Sequence, residues 1–417
     1  MIDPVILRQD PEAFKAHLAR RKLDTDMAAL IELDESRRKT RSRAEDLRSK
    51  QKSTGKEIAK LEGAEKEAAI AAAAKLSDEY KALSAEADDL DGRFHEIWFG
   101  LPNLTHDSVP DGAGEEENAE IKKWGDLPDF DFEPKDHLDL GEALGVIDVE
   151  RAAKVSGARF AYLKGNLALL EFAIVRFALD RLTAEGFVPV VPPVLVREEA
   201  LFGTGFFPEA REQVYAIEED ELFLAGTAEI PLAAMHADEI FDAADLPVRY
   251  AGFSTCFRRE AGTYGKDMKG IFRVHQFDKV EMFSFVDPET SWDEHDFLLS
   301  REESLVQELG LPYRVVNVCV GDLGAPAAKK YDIEAWFPGQ GRYRELTSCS
   351  NTTDFQARRL KSRFKGDGGT AFVHTLNGTV FAIGRTLIAI MENNQRADGS
   401  IAVPEALVPY TGFEVIS

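Results

Sequence analysis

From Met27 to Phe99 the chain has no proline and few glycines, and its apolar or small residues recur at alternating three- and four-residue intervals. The first run passes through Leu30, Leu33, Thr40, Ala44, Leu47, Thr54, Ile58 and Leu61, with polar Arg37 and Gln51 filling two slots. The second passes through Ala69, Leu76, Tyr80, Leu83, Ala87, Leu90, Phe94 and Ile97. This spacing is the seam of a coiled coil. Glu62-Gly63-Ala64, between the runs, reads as a tight turn. The pattern predicts two long helices folded back as an antiparallel hairpin, each roughly 50 Å long at about 1.5 Å per residue.

Beyond Gly100-Leu101-Pro102-Asn103 the pattern changes. The stretch from Pro110 to Pro134 is rich in Gly, Pro and acidic residues and reads as a linker with little core. Residues 1–103 are therefore expected to form one domain carrying the arm (27–99), residues 104–136 a linker, and residues 137–417 a globular body. In the body, Leu167 to Glu185 is apolar on most faces and predicts a buried helix. The prolines of Phe187 to Pro193 exclude a helix and place that run at a strand end or sheet edge. Strands are expected at Leu222–Leu224, Val248–Phe253, Val280–Val286 and Tyr313–Val320, with a helix over Trp292–Leu309.

Composition narrows the class. The 417 residues carry 50 Lys+Arg against 74 Asp+Glu, a net charge of −24, and 44% are hydrophobic. Such a chain can bury a large core, which excludes a disordered or collagen-like polymer. No run approaches the roughly 18 apolar residues that span a bilayer. The start, Met1-Ile2-Asp3-Pro4, lacks a basic and then apolar leader, so no secretory signal is expected. Cys256, Cys319 and Cys349 are widely spaced and form no CxxC pair. They fit a reducing, cytoplasmic setting. The acidic balance opposes indiscriminate nucleic-acid binding but leaves room for a local basic surface. The first arm helix carries one, including Arg37, Arg38, Arg41, Arg43, Lys50 and Lys52, and the second is acidic, with Asp78, Glu79, Glu86, Asp88, Asp89 and Asp91. These charges either pair across the seam or present a stripe to a phosphate backbone.

The densest chemistry lies between Tyr250 and Phe285. A strand carrying Arg258 and Glu260 two residues apart would point both to one face. A Gly-rich basic loop follows, and a second strand returns with Phe277 and Glu281. Arginine offers phosphate or carboxylate a bidentate fork. Singly, each feature has a plainer reading: a surface Arg-Glu ion pair, or a core phenylalanine. Near the end, a small-residue strand runs through Gly384-Arg385 into an apolar helix, where an arginine and a helix N-terminus can meet a phosphate.

Together these segments resemble motifs 2 and 3 of the class II aminoacyl-tRNA synthetases, and specifically the bacterial seryl-tRNA synthetases. Gly226-Thr227-Ala228-Glu229-Ile230-Pro231-Leu232, His275 to Glu281, Tyr343 to Asn351 and Phe355-Gln356-Ala357-Arg358-Arg359 agree, and Pro193 is similar to the motif 1 proline. The resemblance runs the length of the chain. It implies an α+β fold, an antiparallel β-sheet flanked by helices with an N-terminal coiled-coil hairpin, and a homodimer built on motif 1. It implies a serine–tRNA ligase that makes seryl-adenylate from L-serine and ATP and passes serine to tRNA(Ser), or to tRNA(Sec) where that exists.

By the same resemblance Arg258, Glu260 and Arg385 are catalytic. ATP would be held by Arg258, Arg259, Glu260, Val274, Phe277, Glu345, Leu346, Thr347, Ser348 and Arg385. Mg2+ would be held with it by Glu345 and Ser348. Serine would lie among Thr227, Ala228, Glu229, Arg258, Glu281, Asn377 and Thr379. The basic arm residues Arg37, Arg38, Arg41, Arg43, Lys50 and Lys52 would grip tRNA. Lys266, Lys269 and Arg273 are candidates to close over ATP or the tRNA end. Some relatives carry Ser where this chain has Thr379, which keeps the hydroxyl and adds a methyl. No Cys/His cluster supports the zinc-dependent serine recognition of some archaeal relatives, so no zinc is expected. Rival readings are a paralogue that charges a carrier protein or activates a serine-like antibiotic precursor, a catalytically dead RNA-binding or regulatory homologue, and a coiled-coil scaffold. The complete arm, the four motif residues Arg258, Glu260, Glu345 and Arg385, and the motif set respectively speak against them.

Overall fold

The computed structural model describes residues 1–262 and 269–417. Ile2–Leu101 forms one compact unit and Pro102–Ser417 another.

In the first unit the hairpin consists of helix α1 (Met27–Ile58) and helix α2 (Gly63–Phe99). Asp26 caps α1 by accepting a hydrogen bond from the Ala29 amide at 3.0 Å. The reversal occupies residues 59–62 rather than 62–64, because Gly63, at φ 58°, already swings the chain into α2. The buried seam holds Leu30, Asp34, Thr40 and Ala44 against Ala87, Phe94 and Trp98. Leu33, expected in it, is only half buried, and Asp34 is buried instead. That carboxylate survives burial because Arg37 holds it at 2.6 Å, with Arg8 and Arg38 nearby. Phe94 and Trp98 stack at 5.1 Å, Phe14 packs on Trp98 at 5.4 Å, and the Trp98 indole donates to the Ile2 carbonyl.

The charges of the arm divide. Arg37 and Arg41 reach across the seam to Asp91, and Arg41 also to Asp88. Arg43, Lys50 and Lys52 stand exposed and form no ion pair among the described residues. The stripe is thus partly spent on holding the hairpin together.

The second unit is built on an eight-stranded sheet. Its strands in chain order are β1 (Ala119–Trp124), β2 (Val188–Val190), β3 (Val248–Phe257), β4 (Gln276–Val286), β5 (Tyr313–Asn317), β6 (Lys329–Phe337), β7 (Arg342–Asn351) and β8 (His374–Ala382). The spatial order is β1-β5-β6-β7-β8-β4-β3-β2, antiparallel except for the β2–β3 edge pair. The expected linker needs correction. Residues 119–124 pair with β5 as the opposite edge strand, and the Asn103 side chain donates to the Pro326 and Thr352 carbonyls. Polar, mostly exposed residues suit an edge strand, which is why composition read as linker.

Period-two alternation divides β4 between two faces. Val280 and Met282 enter the main core on one face, with helices α3 (Asn166–Ala184), α4 (Ser291–Glu308) and α5 (Ile383–Asn393). Phe277, Lys279 and Glu281 point the other way, and beyond them Phe283 and Phe285 join a smaller core with Ala228, Leu232 and Leu360. On the helical face, Glu302 of α4 is fully buried and accepts from the Thr347 hydroxyl at 2.7 Å. Burial pushes its pKa well above the ordinary glutamate range.

Glu302 is therefore protonated in the fold and ionised in the unfolded chain above about pH 4.5. Its contribution to stability is complete below that pH and is lost as pH rises toward the folded pKa. Urea unfolding of Glu302→Gln should show a gain over the parent that is larger at pH 8 than at pH 5. An equal effect at both would refute a protonated Glu302.

Candidate active site

Glu281 sits at the centre of the open face, fully buried. Its Oε1 accepts from Lys279 Nζ at 2.5 Å and from Asn377 Nδ2 at 3.2 Å. Its Oε2 accepts from the Thr227 hydroxyl and from the Glu229 amide at 3.1 Å. Burial alone would raise the Glu281 pKa, but the Lys279 charge and these hydrogen bonds reverse that and hold it below the usual range. Register explains the convergence. Glu281 lies opposite Thr379 and Phe283 opposite Asn377 on β8, while Thr227 and Glu229 arrive on the turn that opens the short helix Glu229–Ala234. Glu229 accepts from Gln356 at 2.7 Å. Burial and the neighbouring Glu281 charge push its pKa up to about 7, against the pull of Gln356, Lys279 and Arg258.

Thr227, Glu229, Lys279, Asn377 and Thr379 floor a cavity of about 370 Å³, also lined by Phe206, Arg258, Lys330, Ser348 and Ser350, with Glu281 buried behind them. A second cavity of about 410 Å³ adjoins it, lined by Glu260, Phe272, Arg273, Val274, Phe277, Glu345 and Arg385 among others. Arg258, Lys279, Lys330, Ser348 and Thr379 border both, so the two are compartments of one cleft. Arg258 donates to the Gly226 carbonyl at 3.0 Å, and its guanidinium lies 5.3 Å from the centre of the Phe277 ring. Arg385, in the first turn of α5, donates to the Glu345 carbonyl and carboxylate at 2.9 and 3.0 Å. Burial would raise the Glu345 pKa, yet Arg385, Lys330 and Arg258 together lower it, so this half-exposed carboxylate is ionised.

A β-bulge brings Glu345 and Ser348 together. Thr347 pairs with Ile333 but Glu345 with Glu334, so one extra residue lies in β7. Strict alternation would put positions three apart on opposite faces. The bulge lets both line the cleft, while Thr347 turns its hydroxyl to Glu302 on the helical face.

Several sequence expectations need amendment. Arg258 and Glu260 do not share a strand face, because β3 ends at Phe257. Glu260 adopts φ 50° and pairs with Arg273 at 2.6 Å, which still brings it to the cleft. Arg259 is exposed, lies 5.9 Å from the Tyr215 ring and borders neither compartment. Thr347 borders the second compartment, but its hydroxyl is committed to Glu302. Ala228 is buried behind the site in the small core. Lys266 lies outside the described residues. Four residues were missed. Lys279 is 6% exposed between the compartments, and the alternation Phe277, Lys279, Glu281 was the signal that pointed to it. Lys330, paired with Asp332 at 3.1 Å, carried no such signal. Nor did His137 and Glu392, which are remote in sequence from the motifs.

His137 and Glu392 anchor the returning limb of the loop. Glu392, fully buried in α5, meets His137 Nδ1 at 3.1 Å and accepts the Gly339 amide at 2.9 Å. His137 Nε2 accepts the Ile271 amide at 3.2 Å. The Nδ1–H tautomer satisfies both ends. Phe272, Arg273 and Val274, which follow, line the second compartment.

Residues 213–394 match the family model of the tRNA synthetase class II core domain (G, H, P, S and T), and residues 1–105 match that of the seryl-tRNA synthetase N-terminal domain. The serine–tRNA ligase of Acidothermus cellulolyticus is 52% identical, covering 100% of this chain and 99% of its own. The chain belongs to the seryl-tRNA synthetase family. The serine–tRNA ligase of Streptomyces coelicolor is 51% identical over 99% of this chain and 98% of its own. The crystal structure of the seryl-tRNA synthetase from Pyrococcus horikoshii complexed with ATP superposes with a TM-score of 0.93, at 43% identity, covering 100% of this chain and 99% of that one. Class II core, antiparallel sheet and helical N-terminal hairpin are thus family features of this chain. Among the described residues, no helix is long and apolar enough to cross a membrane.

The anchor of residues 271–274 is open to test. A Cβ on Gly270, at φ 70°, would fall 1.9 Å from His137 Nε2. Gly270→Ala should cost roughly 1–3 kcal/mol and speed hydrogen exchange at the Ile271 amide. Unchanged protection there would show that His137 does not hold this limb.

Proposed function

We propose that the chain is a serine–tRNA ligase working in two steps. The serine carboxylate attacks the α-phosphorus of ATP, giving seryl-adenylate and pyrophosphate. The terminal ribose hydroxyl of tRNA(Ser) then attacks the acyl carbon and releases AMP. The observation that carries this reading is one cleft with two unlike compartments: the Glu229 carboxylate, with Glu281 buried behind it, in one, and cations beside an aromatic ring in the other. Both steps demand placement and neutralisation of charge.

Serine lies in the first compartment among Thr227, Glu229, Glu281, Asn377 and Thr379. Two carboxylates suit a ligand carrying an ammonium and a hydroxyl. Alanine is rejected because it leaves buried polar groups unpaired, whereas threonine is opposed only sterically, by about 1–3 kcal/mol. ATP lies in the second. Arg258 bridges the α-phosphate and the serine carboxylate, Glu260 accepts from the adenine amino group, and Phe277 stacks on the ring. Val274 and Leu346 border the nucleotide, and Arg385 meets the γ-phosphate. Glu345 and Ser348 supply oxygen donors that suit Mg2+, a hard ion that takes its remaining ligands from phosphates and water. When bound, Mg2+ neutralises phosphate charge and holds the triphosphate in shape.

The arm grips the tRNA backbone, a contact that reads shape more than bases. Arg43, Lys50 and Lys52, exposed and without an ion pair among the described residues, are the residues best placed for it. A homodimer is favoured by apolar groups exposed on α3 and at the two ends of β2: Leu169 at 52%, Phe172 at 65%, Val188 at 54% and Val191 at 79%.

The deciding experiment is amino-acid-dependent ATP–pyrophosphate exchange with serine, threonine, alanine and cysteine. Serine should dominate by at least about 100-fold over alanine. Absence of exchange with every amino acid would leave a non-catalytic homologue. A second test separates arm from body. Changing Arg43, Lys50 and Lys52 to Glu should weaken tRNA charging and flatten its salt dependence while exchange stays near the parent rate. Equal losses in both assays would end the division of labour.

A further inference from the structure

A carboxylate offers about four lone-pair directions. Those of Glu281 are all taken, by Lys279 and Asn377 at Oε1 and by Thr227 and the Glu229 amide at Oε2. A substrate ammonium can reach Glu281 only by displacing one of these donors. The four are not equivalent. The Glu229 amide belongs to a helix start, and the Asn377 side chain is also held by the Met282 carbonyl at 3.4 Å. Thr227 is short, and it also accepts from Lys279 at 2.9 Å. Lys279 alone has a long flexible stem, and it alone is a cation. Exchanging one ammonium for another leaves the buried charge unchanged. Displacing a neutral donor would instead place a second positive charge beside Lys279, at a desolvation cost.

Lys279 also borders both compartments, on the seam shared with Arg258, Ser348 and Thr379. We propose that Lys279 is a place-holding cation. The ammonium of the incoming amino acid takes its position on Glu281. The released Lys279 ammonium then turns to the seam and lies on the negative charge where carboxylate meets phosphate. Filling of the first compartment is thereby linked to a new cation between the two. The empty protein meanwhile keeps Glu281 paired and ionised. This rests on the serine-adenylating reading above.

The test pairs kinetics with a structure. In serine-dependent ATP–pyrophosphate exchange, Lys279→Met should lower kcat by about 100-fold, the usual scale for one lost charge-stabilising group. KM for serine should change by less than about threefold, since the residue displaced by serine is gone. A KM raised tenfold or more, or an unchanged kcat, means that Lys279 only props the pocket and overturns the proposal. Because the variant can fail to fold, the unaltered protein is also crystallised with an unreactive sulfamoyl analogue of seryl-adenylate. Lys279 Nζ should then lie out of hydrogen-bond reach of Glu281 and within reach of the analogue's linker. Lys279 still on Glu281 in that complex overturns the place-holding idea alone. Failure of the unaltered protein to exchange with any amino acid overturns this proposal together with the reading on which it rests.

Discussion

Glu281 is an ionised carboxylate with no exposure at the middle of a sheet, and the architecture of the body follows from keeping it satisfied. A buried charge is tolerated only when it is paired and hydrogen-bonded. Its donors come from β4 itself, from β8 and from the 227–229 turn, so three separate segments must be locked in register at one atom group. The apolar core on the opposite face supplies the driving force for folding. Glu281 and its partners instead specify which arrangement of strands that core supports.

The same economy runs along the cleft. Arg385 is paired with Glu345, Arg273 with Glu260, and Lys330 with Asp332. Each cation therefore stands preorganised, with a carboxylate holding its position before any ligand arrives. Fixed charges in a partly dry cleft are worth more to a developing charge than mobile ones in water. The arm uses its charges differently. Asp34 and Asp91 bind Arg37 and Arg41 into the hairpin, leaving the more distal cations facing solvent. One basic helix thus serves both its own stability and an outside partner.

The His137–Glu392 pair shows how far from the motifs a site can be supported. It joins the residue opening the sequence-predicted body to a helix near the C-terminus, and it ends on the Ile271 amide behind the second compartment. Neither residue touches the cleft, and both are buried.

Local pattern alone determined much of this protein. The seam spacing from Leu30 to Ile97 reveals the two long helices, because a helix exposes its period directly in the chain. The motif residues Arg258, Glu260, Phe277, Glu281 and Arg385 were legible because each sits in a short, chemically dense stretch, whereas Glu345 came only through the family resemblance. Tertiary structure decided the rest. Residues 119–124 are a strand only because β5 is there to pair with them. Asp34 replaces Leu33 in the seam because arginines surround it. Glu345 and Ser348 share a face only through a bulge, and Glu260 reaches the cleft through a left-handed turn past the end of its strand. Lys279 matters for its distance to Thr227 and Glu281, and Lys330 for its partner Asp332. Periodicity records what a residue does within its own segment. Register, bulges and charge partners depend on segments remote in sequence, and only the folded chain brings those together.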